Sequence, residues 1–93
     1  MSIDITVIGS TNLDITATVP RLPGPGETLL GTSLTHAQGG KGANQALAAS
    51  RAGAAVRFIG AVGDDSASDT ALSLLVADGV DLSQLVRVPG TPT

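Results

Sequence analysis

The sequence predicts an α/β fold in which a parallel strand layer carries a small β excursion, and three observations predict it. Near the N-terminus, "DITVIG" (Asp4 to Gly9) is a compact β-branched run ending at glycine, which suits a strand buried on both faces of a parallel sheet. Two stretches with helical spacing, each ended by a glycine, alternate with further strand-like runs. Between the first strand and the first helix lies a segment of another kind, strictly alternating and then turn-rich. The order strand, inserted sheet, helix, strand, helix, strand is what a parallel layer with a side excursion requires.

Each element has its own signal. After the first strand, "LDITATV" puts Leu13, Ile15, Ala17 and Val19 on one side and Asp14, Thr16 and Thr18 on the other, as a half-exposed strand does. "PRLPGPGE" (Pro20 to Glu27) crowds prolines and glycines into a turn-rich connection. "TLLGTSLTHA" (Thr28 to Ala37) is a weaker strand, interrupted by Gly31, that can pair with the preceding one as a small polar-faced sheet. In "ANQALAASRAGA", Ala43, Ala46, Leu47 and Ser50 recur at three- and four-residue spacing and predict a helix from about Gly42 to Ala52, closed by Gly53. "AVRFIGAVG" (Ala55 to Gly63) returns to strand composition. A second helix is expected in "DDSASDTALSLLVADGV", with Ser66 as cap, Asp69 three residues on, Ala71, Leu72 and Leu75 as the apolar stripe and Gly79 as the stop. "LVRVPG" (Leu85 to Gly90) is a final strand.

Composition limits what such a chain does alone. Ninety-three residues make at most one small domain with a marginal core. The hydrophobic fraction is 42%, but Phe58 is the sole aromatic, so little area is buried per residue. The net charge is −3, and Arg21, Lys41, Arg51, Arg57 and Arg87 are scattered, which leaves no basic footprint for nucleic acid. The absence of cysteine removes disulfides and thiolate sites and fits a reducing compartment. With His36 as the single histidine, a His-rich metal site is excluded. The apolar run of "MSIDITVIGS" has no basic flank and is too short for a signal or membrane-spanning segment, so a soluble cytoplasmic protein is expected.

The one lysine sits in "QGGKGANQA" (Gln38 to Ala46), between glycines and ahead of a helix. It suits a phosphate clamp, a grip on another polar ligand, or a solvated turn. A Walker loop needs glycine where Thr35 stands and Ser or Thr where Gly42 stands. A dinucleotide fingerprint needs Gly-x-Gly-x-x-Gly after the first strand, but that strand ends in Gly9, Ser10, Thr11 and Asn12. What remains is a glycine-rich turn into a helix N-terminus, where free N–H groups favour electron-rich oxygens. Gly39, Gly40 and Gly42 allow close approach, and Lys41 and Asn44 add donors suited to hydroxyl groups. In "GSTNLD", Asn12 and Asp14 are two apart and share a face if the strand has begun, forming an amide–carboxylate grip of the kind that holds a polyol. Ligands in open α/β sheets lie beyond the carboxyl ends of the strands, where both clusters fall.

"GSTNLD", "PGPGET", "GGKGANQALAASRAGA" and "FIGAVGDD" occur in an order and spacing that resemble the start of the ribokinase family of carbohydrate kinases, and the similarity spans essentially all 93 residues. The resemblance implies a three-layer α/β/α fold with a Rossmann-like parallel sheet, of which this is the N-terminal part, with a small β lid at about 13–37. It implies ATP-dependent phosphorylation of the exocyclic 5-hydroxyl of ribose or a close pentose. Asn12, Leu13 and Asp14, with Gly40, Lys41, Gly42, Ala43 and Asn44, match the family's sugar-binding positions. A lid-to-lid homodimer is implied as well. Magnesium and a monovalent cation such as potassium are implied as cofactors beside ATP, with their sites, the ATP pocket and the catalytic aspartate expected beyond Thr93. No catalytic residue and no metal ligand is assigned within the segment.

Other readings of these residues stand beside this one. Taken by itself, the glycine cluster is a tight connection with a solvated lysine, and Asp14 a surface acid. Glu27 is read as a cap or brace of the lid, His36 as packing or surface, and Asp64 and Asp65 as helix entry. For the whole chain, the alternatives are an inactive module that binds sugar or dimerises through lid strands, and a kinase for deoxyribose, fructose or a nucleoside.

Overall fold

The computed structural model describes residues 2–93, which form β1 (Ile5–Ile8), β2 (Asn12–Thr18), β3 (Ser33–Gly39), α1 (Lys41–Arg51), β4 (Val56–Ile59), β5 (Ala61–Gly63), α2 (Ser66–Ala77) and β6 (Val86–Val88). The expected single strand from Ala55 to Gly63 is two. β4 runs parallel to β1, Ile5 beside Val56 through Ile8 beside Ile59. Beyond Gly60, β5 runs parallel to β6 instead. The handover has a steric cause: a Cβ at Gly60 would lie 2.7 Å from the Gly9 carbonyl oxygen. There the Gly9 N–H still donates to Ile59 (3.0 Å), while the Val86 N–H already donates to Gly60 (2.9 Å).

Both helices pack on one face of this layer. Ala43, Ala46 and Leu47 of α1 join Val56, Phe58 and Val62 of the strands and Leu72 and Leu75 of α2 in a single buried cluster. Alternation along β4 sends Val56 and Phe58 into that cluster and leaves Arg57 and Ile59 on the other side. The expectation that the first strand is buried on both faces fails for this reason. Ile8, beside Ile59, is 77% exposed, because among the described residues no helix covers that second face; Ile5, beside Val56, is on the helix side and is still 42% exposed.

The helix ends follow the sequence closely, with one correction. α1 begins at Lys41, one residue early, and Gly53 at φ 105° closes it after Ala52. For α2, Asp65 and not Ser66 is the N-cap residue, and no side chain caps it. The carboxylate of Asp65 is turned instead to Thr93, accepting from its N–H (3.0 Å) and its hydroxyl (2.6 Å). Among the described residues, no helix is long and apolar enough to cross a membrane.

The excursion is an antiparallel pair, Asn12 opposite Gly39 through Thr18 opposite Ser33. The weaker strand, expected over Thr28 to Ala37, lies further along, at Ser33–Gly39. Thr32 explains the start: its N–H (2.7 Å) and hydroxyl (3.1 Å) both donate to the Thr18 carbonyl and close the ladder there. Residues 28–31 stay in the connecting loop.

Candidate substrate-binding site

The site begins at the root of the lid. Asn12 and Asp14 do share a face, and the Asn12 amide donates to Asp14 Oδ1 at 2.6 Å. Cross-strand partners share a face too, so Asn12 and Asp14 stand with Gly39 and Ala37. A Cβ on Gly39 would lie 2.4 Å from Asp14 Oδ2, so the carboxylate occupies the space that any side chain at residue 39 would take. Asp14 is thereby held over the strand that runs directly into α1.

Gly40 makes the turn between them. It has φ 98°, a region that favours glycine, and a Cβ there would also lie 2.7 Å from the Ser10 carbonyl oxygen. Gly42 is equally tight, with Gly9 2.8 Å from where its Cβ would be. The Ala43 N–H donates to Ser10 (2.9 Å) and the Asn44 N–H to Gly40 (3.0 Å), which binds the helix start to the end of β1. The side chains of Lys41 and Asn44 are exposed and make no hydrogen bond among the described residues. The arrangement brings a carboxylate, an amide, an ammonium and a second amide to one end of the parallel layer, with the helix N-terminus beneath them.

Two of the expected residues point elsewhere. Leu13 lies on the opposite lid face from Asn12 and Asp14, in register with Gln38. The Ala43 side chain is fully buried in the core, and its N–H is already spent on Ser10. Gly40 and Gly42 contribute space and backbone.

The other acids singled out in the sequence, Asp64, Asp65 and Glu27, are engaged in structure. Asp64 accepts from the Gly90 N–H (3.1 Å), and Asp65 is held below the usual carboxylate range by the Thr93 hydroxyl and then its N–H. This strap from 90 to 93 bounds a cavity of about 170 Å³ with Thr11, Gly63 and Val88. Sequence reading missed the strap, because nothing in "PGTPT" signals a partner 28 residues away. At the far end of the lid, Glu27 is the brace: Arg21 Nη2 meets its Oε2 at 2.7 Å, the Gly24 N–H meets Oε1 at 2.9 Å, and its carboxyl is lowered to about 2. His36 is exposed on β3. No three His, Asp or Glu side chains come together for a metal ion among the described residues, so the implied magnesium finds no carboxylate cluster here.

A profile described as pfkB family carbohydrate kinase matches residues 2–93. The chain belongs to the pfkB family of carbohydrate kinases. It is 51% identical over 88 residues to a ribokinase of Bacillus subtilis, covering 95% of this chain and 30% of that protein. With a ribokinase of Haemophilus influenzae the identity is 46% over 84 residues, covering 90% and 28%. Arabidopsis thaliana ribokinase, solved with ribose and ATP, superposes on the whole chain and 30% of its own with a TM-score of 0.88 and 34% identity. The fold is thus that of the ribokinases over this stretch. The chain spans about 30% of the length of the relatives it matches.

Proposed function

We propose that this pfkB-family chain is the sugar-binding part of a ribokinase, an enzyme that transfers the terminal phosphoryl group of ATP to the 5-hydroxyl of ribose. The observation that carries the reading is the Asp14 carboxylate held over Gly39, at the start of the helix that bears Lys41 and Asn44. A carboxylate there accepts hydrogens from sugar hydroxyls, Asn12 keeps it oriented, and Lys41 and Asn44 donate to the sugar oxygens. The polar face of the lid, with Thr16, Thr18 and Thr35, shelters the bound sugar from water. These residues bind and orient. Proton removal from the attacking hydroxyl belongs to an aspartate expected beyond Thr93, and ATP, magnesium and potassium act there too, so no step of phosphoryl transfer is assigned to this stretch.

Similarity to a ribokinase solved with ribose and ATP supports the choice of substrates. In the full-length gene product, Asp14→Asn is expected to raise the KM for ribose at least tenfold with the fold intact. An unchanged KM would remove Asp14 from the site. Comparing ribose, deoxyribose, fructose and a nucleoside as acceptors settles the sugar, and a cytoplasmic location is part of the same proposal.

A lid-to-lid homodimer is proposed as well, and the second lid face favours it. Ile15 is 63% and Leu34 64% exposed there, one on each strand. Sedimentation of the native product gives the test: a dimer that Ile15→Asp dissociates is expected. Were the 93 residues the whole product, the same face would make it a dimerising, sugar-binding module without kinase activity.

A further inference from the structure

The root of the lid holds two polar side chains without partners. Gln38 Nε2 and Oε1 are both shielded from solvent and have no hydrogen-bond partner among the described residues, and the same holds for the Thr11 hydroxyl. A side-chain amide can make up to four hydrogen bonds, and burying it with none is unfavourable. Neither residue belongs to the cluster of Asn12, Asp14, Lys41 and Asn44.

The register explains where they are. Gln38 pairs with Leu13, between Asn12 and Asp14, and so lies on the lid face behind the site. One residue before the last pair, Asn12 opposite Gly39, stands Thr11. Thr11 immediately precedes β2 and lines the cavity under the 91–93 strap; alternation continued from β2 would give it the face of Leu13 and Gln38, one diagonal step from Gln38, a gap that a long side chain spans. Thr11 is pinned to the parallel layer, since Gly40 packs against its Cα and its neighbour Ser10 accepts from Ala43. Gln38 stands on β3, which is exposed from Ser33 to Ala37 and also touches α2.

We propose that Gln38 is a positioning residue: its amide bonds the Thr11 hydroxyl when sugar is engaged, and that bond sets the angle at which Asn12 and Asp14 meet Lys41 and Asn44. The inference rests on the sugar-binding reading and deepens it. A ligand that draws Asp14 toward α1 moves the same strand pair that carries Gln38. Any movement that joins Gln38 to Thr11 relieves two buried, unpaired groups at once, so sugar binding and the bond favour each other.

The test uses the full-length product with ribose and ATP, in Gln38→Leu, Thr11→Val, the double variant and Thr11→Ser. Each of the first two is expected to raise the ribose KM about five- to tenfold with kcat within about twofold, the double variant to be no worse than either, and Thr11→Ser to retain wild-type KM. A KM that stays unchanged while the melting temperature rises would mean the unpaired amide is only a cost of folding, and would overturn the proposal, as would additive effects. Asp14→Asn separates the two levels. If it raises KM and the Gln38 variants do not, the positioning role alone falls; if it does nothing, the sugar-binding reading falls with it.

Discussion

The parallel layer and the lid are built from the same small side chains but held together differently. In the layer, Phe58, Leu75 and Val56 are almost wholly buried and the apolar surface is shared between strands and helices. In the lid, the strands from Asp14 to Thr18 and from Ser33 to Ala37 are exposed, and their main bond is to each other. Burial supplies the stability of one region, and ladder hydrogen bonds, each of small net value, hold the other. Asp14 stands on the exposed strand pair, while Lys41 and Asn44 stand on the helix that shares the core.

The largest effect should come from breaking the layer. Phe58→Ala deletes the one aromatic side chain, fully buried. It is expected to cost about 3–5 kcal/mol in urea unfolding. Ile15→Ala in the lid is expected to stay within about 0.5 kcal/mol, since Ile15 is 63% exposed. If the two cost the same, the comparison breaks in an informative way: the second lid face would be covered, as the proposed homodimer requires.

A binding effect without a stability effect sharpens the contrast. Gly39 does not have positive φ, so Gly39→Ala strains no backbone, and the nearest atoms to the new Cβ are those of the Asp14 carboxylate, from 2.4 Å. Displacing that carboxylate is expected to raise the ribose KM about tenfold or more while the unfolding midpoint barely moves. In an Asp14→Ala background the same substitution should be neutral. A further loss there would mean that residue 39 acts on something other than Asp14.

Much of this was legible in the sequence. The spacing of Ala43, Ala46 and Leu47 with Gly53 beyond them marked α1, and the alternation from Leu13 to Thr18 marked β2, because each signal is local and periodic. The pairing of Asn12 with Asp14 followed from the same period of two. What escaped depends on partners distant in the chain. The split at Gly60 arises from the close approach of Gly9, and the loss of the Ser66 cap from Thr93 engaging Asp65. Gln38 could not stand out either, since only the register with Leu13 reveals that it is on the back of the site.

The smallest expected effect is electrostatic, and it too divides the regions. In the layer, hydrogen bonds from the Ser83 side chain and backbone, and then from Arg57, lower the Asp81 carboxyl to about 2; at the lid tip Arg21, and then the Gly24 N–H, lower Glu27 to about 2. Both values lie below those of the unfolded chain. Each carboxylate therefore contributes stability that is fully present above about pH 4 and is lost as pH falls toward 2. What differs is the structure each one holds. Asp81 ties the chain leading to β6 onto β4, through Arg57 Nε at 3.0 Å and the Phe58 N–H at 3.0 Å to its carbonyl. Glu27 ties only a solvent-exposed turn, where an ion pair is worth little. Asp81→Asn is thus expected to lower the urea midpoint at pH 7, by a deficit that narrows steadily between about pH 4 and 2. Glu27→Gln should leave the midpoint unchanged at either pH and speed amide exchange only around residues 21–27. A Glu27→Gln chain that unfolds earlier as a whole would join the lid tip to the cooperative unit of the layer, and the two regions would then be one.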